Sequence, residues 1–150
     1  MNDFDFLAGR WDVASRRLVK PLTGSDEWDE FSGQSVATRH FDGAASFDEV
    51  AFPAKGFKGL TVRVYNPETR QWSIYWASST RGVLDTAPMV GAFEGGRGEF
   101  YGEETCDDRR VPCRFVWTVI GPDTARWEQA FSADGGKTWE TNWIMDLTRA

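Results

Sequence analysis

Two side chains in this sequence are candidates for proton transfer to or from a small metabolite. His40 is the only histidine. Histidine is the side chain whose ordinary pKa lies close to neutral pH. Tyr101 carries a phenol that can also donate or accept a proton. An enzyme acting on a small metabolite could use either residue as a proton shuttle, and each is also a candidate ligand contact. The competing interpretation of His40 is a structural strand residue that is hydrogen-bonded to its neighbours.

A third candidate, Gln129, lies on an apolar face between Trp127 and Phe131. A buried amide needs hydrogen-bond partners, which a bound polar group or a water molecule could supply. We therefore predict that Gln129 contributes most to ligand specificity. The aromatic residues that alternate onto the same predicted face are Trp72, Trp76, Phe115, Trp117, Trp127, Phe131, Trp139 and Trp143.

These rings either line a cavity or fill a solid core, and the sequence leaves both open. A barrel of ten strands has an interior wider than side chains easily fill, which favours a cavity. Trp76, Trp117, Trp127 and Trp143 are then predicted to provide stacking area for a ligand. Arg63 is a weaker candidate because it alternates toward the polar face of its segment. Turned inward, it would favour an acidic ligand head group.

Length and charge restrict the class of protein. The chain has 150 residues and a formal net charge of −6. This length suits one domain, which we predict to span residues 1–150. The acidic balance lacks the basic patch that nucleic acids and anionic membranes require, so neither is expected as a partner. No apolar stretch is long enough to span a membrane and no basic leader opens the chain, which predicts a cytoplasmic protein.

Neither a metal ion nor a cofactor is expected. Cys106 and Cys113 are the only cysteines, and with one histidine they cannot build an ordinary closed zinc site. We predict two reduced thiols, with Cys113 on an apolar strand face. The glycines in 95–98 fit neither the Rossmann nor the P-loop spacing. A haem-binding barrel would call for a late histidine, and residues 41–150 contain none.

The segment 132–139, Ser-Ala-Asp-Gly-Gly-Lys-Thr-Trp, resembles the Asp-box of sialidases and other glycan-active proteins. Sialidases repeat this motif and add an arginine cluster with a catalytic tyrosine, whereas this chain has one copy. Asp134 can instead accept hydrogen bonds from the amides of its own turn, while the glycines permit positive φ. We therefore predict a stabilised hairpin and not a glycosidase.

Apolar and polar residues alternate with a period of two along most of the chain, which predicts half-buried strands. In one segment, Val62 and Val64 are assigned to the apolar face, opposite Thr61 and Arg63. Short connections require antiparallel neighbours. We therefore predict an all-β fold: one antiparallel up-and-down barrel of about ten strands, preceded by a short helical turn within 2–7. The predicted strands are 10–19, 27–40, 44–52, 58–65, 71–78, 82–93, 97–105, 110–120, 124–132 and 138–148.

Residues 4–11 read Phe-Asp-Phe-Leu-Ala-Gly-Arg-Trp, a short turn followed by Gly-x-Trp. This resembles the start of a calycin barrel, and lipocalins commonly pack a late arginine, here Arg149, across that tryptophan. Together with 63–67, 72–76 and 127–143, the motif makes the whole chain similar to a family of uncharacterised bacterial calycin-like (lipocalin-like) proteins. The resemblance implies a barrel with a ligand cavity, and no specific ligand.

Three functions therefore stay open. The first is the binding of a small, largely apolar or aromatic molecule in the barrel cavity. The second is an enzyme that uses the same cavity to isomerise or cyclise a small metabolite. The third is a homodimeric assembly module without a ligand, whose interface would include outer-face residues such as Val116 and Ile144.

Overall fold

The computed structural model describes residues Met1–Ala150 and is a closed barrel of ten antiparallel strands. Each strand pairs with its neighbours along the chain, and the first strand closes the barrel against the last. The predicted all-β up-and-down barrel is confirmed. The strands are β1 (Gly9–Leu18), β2 (Trp28–His40), β3 (Ala45–Phe52), β4 (Phe57–Asn66), β5 (Gln71–Ser78), β6 (Met89–Glu94), β7 (Arg97–Cys106), β8 (Arg109–Gly121), β9 (Thr124–Phe131) and β10 (Glu140–Arg149).

Helical structure is confined to 3-10 turns of three residues each, at Asp5–Leu7, Phe41–Gly43 and Pro53–Lys55. A membrane-crossing helix is not among the elements of this fold. The first of these turns is the predicted N-terminal helical turn.

The residues before β1 close one end of the barrel. Trp11 is buried and donates its indole N–H to the backbone oxygen of Leu7 at 2.9 Å. The guanidinium of Arg149 lies 4.2 Å from the centre of the Trp11 ring and donates to the backbone oxygens of Phe6 and Ala8. The predicted packing of Arg149 across Trp11 is therefore confirmed. The opposite, open end carries the connections β1–β2, β3–β4, β5–β6, β7–β8 and β9–β10.

One predicted strand, 82–93, is mostly a connection. The strand β6 begins only at Met89, and within the preceding loop Leu84 makes a single bridge to Ala77. Gly82 has a φ of 66°, a turn conformation, and Pro88 has no N–H to donate to a neighbouring strand. These residues keep the segment out of the sheet, and the loop borders the open end.

The strand β4 presents the opposite face to the one predicted. Thr61 and Arg63 point into the barrel and are buried, whereas Val64 is on the outside and partly exposed. The reason lies in the short connection from β3, which pairs Phe52 with Phe57 and packs their rings 5.1 Å apart in the core. With Phe57 fixed inside, alternation sends every second residue after it inward.

Candidate functional site

The barrel encloses a cavity of about 560 Å³ that opens at the end opposite Trp11. This volume lies within the range of roughly 300–1,000 Å³ that is usual for small-molecule sites. Residues from all ten strands contribute to its lining, with a group of aromatic residues on one side and a group of polar residues on the other. The interior is therefore a lined cavity and not a solid aromatic core.

One side of the cavity, which we call the aromatic wall, comes from β5, β8, β9 and β10. Its rings meet edge to face: Trp127 is 5.4 Å from Trp143 and 5.1 Å from Phe115, between ring centres. Edge-to-face contacts place the positive edge of one ring against the negative face of the next, which fixes the rings relative to one another. The aromatic wall consists of Trp76, Phe115, Trp117, Trp127 and Trp143.

The indole N–H groups of this wall differ in their partners. Trp143 donates to the hydroxyl of Ser15 at 2.6 Å. Trp76, Trp117 and Trp127 make no side-chain hydrogen bond within the protein, although all three line the cavity. The wall therefore offers hydrogen-bond donors as well as apolar surface, because an indole N–H can only donate.

A glycine positions Trp76. A Cβ atom built on Gly59 of β4 would lie 1.9 Å from the Trp76 ring, so the ring lies directly on the β4 backbone. Gly59 and Ser78 are paired across β4 and β5, which brings the ring over this point of the neighbouring strand. Only glycine allows so close an approach.

The facing side of the cavity, which we call the polar wall, comes from β2, β3 and β4 and consists of Ser35, Asp48, Thr61 and Arg63. Asp48 forms a buried ion pair with Arg63, whose Nη1 also donates to the hydroxyl of Ser46 at 3.1 Å. Asp48 stands directly opposite Thr61 across β3 and β4, so the ion pair spans adjacent strands diagonally. The pair neutralises both charges inside the barrel.

The polar wall meets the aromatic wall at Arg63. Its guanidinium carbon lies 4.9 Å from the centre of the Phe4 ring and 5.6 Å from that of Trp117. The Nε atom of Arg63 is buried without a hydrogen-bond partner. The cation is thus held by one carboxylate, one hydroxyl and two aromatic rings.

Gln129 has a protein partner that the sequence did not predict. Its amide nitrogen donates to the side-chain oxygen of Asn142 at 2.8 Å, and both side chains are buried. Strict alternation along β10 would put Asn142 on the outer face, opposite to Trp143, but a β-bulge between Thr141 and Trp143 turns it inward. Gln129 lines the cavity and makes this single side-chain hydrogen bond, which leaves its carbonyl oxygen available.

The predicted site residues divide into two groups. His40 and Tyr101 lie on the outer surface, which corrects the expectation that they face the cavity. Arg63 faces the interior, which corrects its assignment to the polar outer face. The predicted residues that the fold brings together around the cavity are Trp76, Trp117, Trp127, Gln129, Trp143 and Arg63.

The two outer residues have local partners that account for their positions. The imidazole Nε2 of His40 is 2.7 Å from the hydroxyl of Thr38, and the ring packs 4.5 Å from Phe47. Tyr101 donates to a carboxylate oxygen of Glu99 at 2.6 Å, and this hydrogen bond raises the pKa of the phenol. Neither residue can shuttle a proton inside the cavity, so the enzyme hypothesis loses both of its named groups.

Of the polar wall, only Arg63 was among the site residues predicted from the sequence. Ser46, Asp48, Val50 and Phe52 all alternate inward on β3, although the first two are polar. The available signal was a carboxylate and a guanidinium on two strands joined by a short connection, where the register brings them within reach.

Two other predicted positions also need correction. Trp139 lies outside the barrel, 6.0 Å from the Tyr101 ring and 4.9 Å from the guanidinium carbon of Arg114, between the respective centres. It precedes β10 and its bulge, so it does not share the alternation of Trp143. Val116 faces outward but is buried, and Ile144 is half-buried, so neither supplies an exposed apolar face for the assembly hypothesis.

The segment 132–139 is a hairpin turn at the open end, as predicted. Asp134 accepts hydrogen bonds from the backbone N–H groups of Lys137 and Thr138 and from the hydroxyls of Ser132 and Thr138. These donors, led by Thr138, favour the charged carboxylate and lower the pKa of Asp134 to about 2. Its hydrogen bonds are all to its own turn.

The mouth of the cavity is acidic. Arg17 reaches over the Trp143 ring at 4.1 Å from its centre. Desolvation raises the pKa of Asp85, and the negative charge of Glu104 raises it further. The charged residues that line the cavity and its mouth are Arg17, Arg63 and Arg81 against Asp48, Asp85, Glu103, Glu104 and Asp107, a net charge of −2.

The two thiols are poorly suited to nucleophilic chemistry. Cys106 and Cys113 are free and buried, and desolvation raises the pKa of both. A thiol is a weak nucleophile until it loses its proton. No group of three or more His, Cys, Asp or Glu side chains is arranged to hold a metal ion. What the arrangement offers chemically is apolar surface with a few convergent hydrogen-bonding groups.

Comparisons with known proteins agree with the fold. No protein-family model and no curated protein matches the chain. Among solved structures, the S-type phycobiliprotein lyase CPES from Guillardia theta superposes with a TM-score of 0.62 at 15% identity, covering 98% of this chain and 90% of that one. A redesigned β-barrel superposes with a TM-score of 0.42 at 8% identity, covering 99% and 96%. The likeness to the lyase shows that the two chains share the same overall barrel fold.

Proposed function

We propose that this protein binds a small, largely apolar or aromatic molecule inside its barrel. The observation that carries the proposal is the cavity of about 560 Å³, lined on one side by the aromatic wall and on the other by the polar wall. Ligand sites are typically apolar clefts with a few placed polar groups that orient the ligand. This cavity has that composition.

Physical considerations favour a cavity that holds a ligand over a cavity that stays empty. Aromatic rings at a cavity lose dispersion contacts on the open side, and a ligand restores them. Trp76, Trp117 and Trp127 also keep donors without protein partners on that surface. A ligand that stacks on these rings and accepts a hydrogen bond would satisfy both deficits.

The shared fold supports the same proposal without identifying the ligand. The barrel of the S-type phycobiliprotein lyase is similar over nearly the whole of this chain, which is consistent with small-molecule binding in this architecture. We further propose that the protein acts in the cytoplasm, since two buried and unpaired cysteines suit a reducing compartment. No nucleic acid or membrane partner is part of the proposal.

Native mass spectrometry of the protein purified from its own host tests the proposal. We expect an additional mass that is lost on denaturation and whose identity is that of the occupant. The same spectrum counts the subunits and so addresses the assembly alternative. A bare chain from the host that also fails to bind any member of a panel of aromatic compounds would contradict the proposal.

A matched pair of tryptophan variants localises binding to the cavity. We expect Trp127→Ala to weaken binding of the retained molecule at least about tenfold, because stacking on an aromatic ring contributes about 0.5–1.5 kcal/mol beyond the apolar area lost with it. Trp139→Ala removes the same side chain from the outside and should leave binding unchanged. Equal effects of the two substitutions would place the site elsewhere.

A further inference from the structure

The charge of the polar wall determines which kind of ligand head group the cavity can accept. Arg63 faces inward, and an unpaired guanidinium in that position would attract a carboxylate. Asp48 already pairs with Arg63 at the cavity lining, and the two side chains are almost fully buried. A ligand carboxylate placed beside this pair would put two negative groups against one positive group in a medium of low dielectric constant.

Negative charge at the mouth of the cavity also disfavours an anionic ligand. The lining carries two more carboxylates than arginines, and the protein as a whole has a formal net charge of −6. Asp85 and Glu104 already repel one another at the mouth. An anionic ligand would meet a negative potential on approach and would also lose its hydration on entry.

The hydrogen-bonding groups left without partners are mainly donors. The indole N–H groups of Trp76, Trp117 and Trp127 can only donate, and the hydroxyls of Ser35 and Thr61, which also line the cavity, can donate or accept. The remaining N–H groups of Arg63 add donors without adding net charge, because Asp48 balances the cation. Donors without net positive charge suit an uncharged oxygen acceptor.

We infer that the cavity takes an uncharged aromatic or apolar ligand bearing a carbonyl-type acceptor and discriminates against the corresponding carboxylate. This inference rests on the proposed function, since it names the ligand class of the same cavity. It reverses the simpler expectation that an inward-facing Arg63 selects an acidic head group. Asp48 is the residue that makes the difference.

Three compounds of nearly equal shape test the inference: 2-acetylnaphthalene, 2-ethylnaphthalene and 2-naphthoate. Titration calorimetry at pH 7 measures the affinity of each for the wild-type protein. We expect the ketone to bind at least about tenfold more tightly than the carboxylate and several-fold more tightly than the ethyl compound. Carboxylate binding as tight as ketone binding would overturn the inference and leave the proposed function standing. Absence of binding by all three would overturn the inference, and the proposed function would then depend on the native mass spectrum and the wider panel of compounds.

The variant Asp48→Asn separates the effect of this residue from the general hydration of anions. Removing the carboxylate leaves the charge of Arg63 unbalanced, so 2-naphthoate should gain at least about tenfold in affinity relative to 2-acetylnaphthalene. The matched control is Glu49→Gln, which removes the same charge from the neighbouring outward-facing position of β3. The control should leave the ratio of the two affinities unchanged. An unchanged ratio in Asp48→Asn would contradict the role of Asp48.

If Asp48→Asn does not fold, a second variant still tests whether negative charge at the cavity disfavours a carboxylate ligand. Glu104→Gln alters a half-buried side chain at the mouth, outside the ion pair. We expect 2-naphthoate to gain about threefold, while 2-acetylnaphthalene is unaffected, because a charge near solvent is partly screened. An equal change for both compounds would show that the mouth does not select by charge.

Discussion

The two walls of the cavity are built by the same alternation of side chains, yet they bury opposite kinds of residue. On the aromatic wall, most inward-facing residues of β5, β8, β9 and β10 are apolar, and Gln129 and Asn142 are buried polar exceptions. On the polar wall, Thr61 and Arg63 face inward while Val64 is partly exposed. Both arrangements satisfy the pleat, which fixes only that alternate residues share a face.

The difference shows what each wall requires in order to be stable. The aromatic wall buries apolar area, a term that needs no specific partner. The polar wall is stable only because Asp48 lies within reach of Arg63, so its stability depends on one pair of residues. The aromatic wall should therefore tolerate single substitutions better than the polar wall.

Breaking the ion pair should have the largest effect. Arg63→Met leaves Asp48 buried without a counterion, and we expect the free energy of unfolding to fall by about 3–5 kcal/mol. Urea denaturation of the purified variant measures the change. The double variant Arg63→Met/Asp48→Leu removes both charges and should recover most of the loss. A double variant as unstable as the single one would refute the dependence of the polar wall on this pair.

Truncating the aromatic wall should cost less. Trp127→Ala removes edge-to-face contacts with Phe115 and Trp143, and we expect a loss of about 3 kcal/mol in the free energy of unfolding. The low end of the usual range applies because the ring already borders a cavity. The same denaturation experiment measures it. A loss larger than that of Arg63→Met would reverse the order of the two walls.

A clash between the backbone of β4 and a ring of the aromatic wall should have a smaller effect again. Gly59→Ala places a Cβ atom against Trp76, so the ring must move, and we expect a loss of about 1–3 kcal/mol with a shift in tryptophan fluorescence. In the background of Trp76→Ala, the same substitution should cost almost nothing. A full penalty in that background would mean that Gly59 matters for its backbone alone.

The smallest effect is expected outside both walls, at Asp134. The pKa of this carboxyl is lowered from 3.8 to about 2 in the folded protein, so the charged form stabilises the fold above pH 4. That contribution is lost as the pH falls from about 4 to about 2. Melting temperatures of wild type and Asp134→Asn should therefore differ at pH 7 and converge near pH 2. Asp26→Asn, at an exposed carboxylate without a hydrogen bond, should show no such convergence.

Much of the fold was predictable because it follows from local patterns. Nine of the ten predicted strands agree with the structure to within a few residues, and Trp11 and Arg149 meet at the closed end as expected. The exception, 82–93, failed because apolar residues in a loop imitate a strand when Gly82 and Pro88 are not weighed. The aromatic wall could also be predicted from the sequence, because apolar and polar residues alternate along its strands.

The site was predictable only where apolar character marked the inner face. The pairing of Gln129 with Asn142 depends on a bulge, which shifts alternation by one residue and leaves no clear mark in the sequence. His40 and Tyr101 were predicted from their chemistry, but their outward positions follow from strand register. Side-chain chemistry identifies the residue types that could take part in a site, whereas strand register decides which of them lie together in the cavity.

The sequence by itself determined that the chain makes ten strands, that they pair as neighbours and that one face of several strands is aromatic. These features depend on residues a few positions apart. The tertiary structure alone decided that Arg63 turns inward and finds Asp48, because the short β3–β4 connection fixes Phe57 inside and thereby the face of every residue after it. Closing the barrel converts a local alternation into one interior, and only then does a polar residue acquire the partner that makes its burial stable.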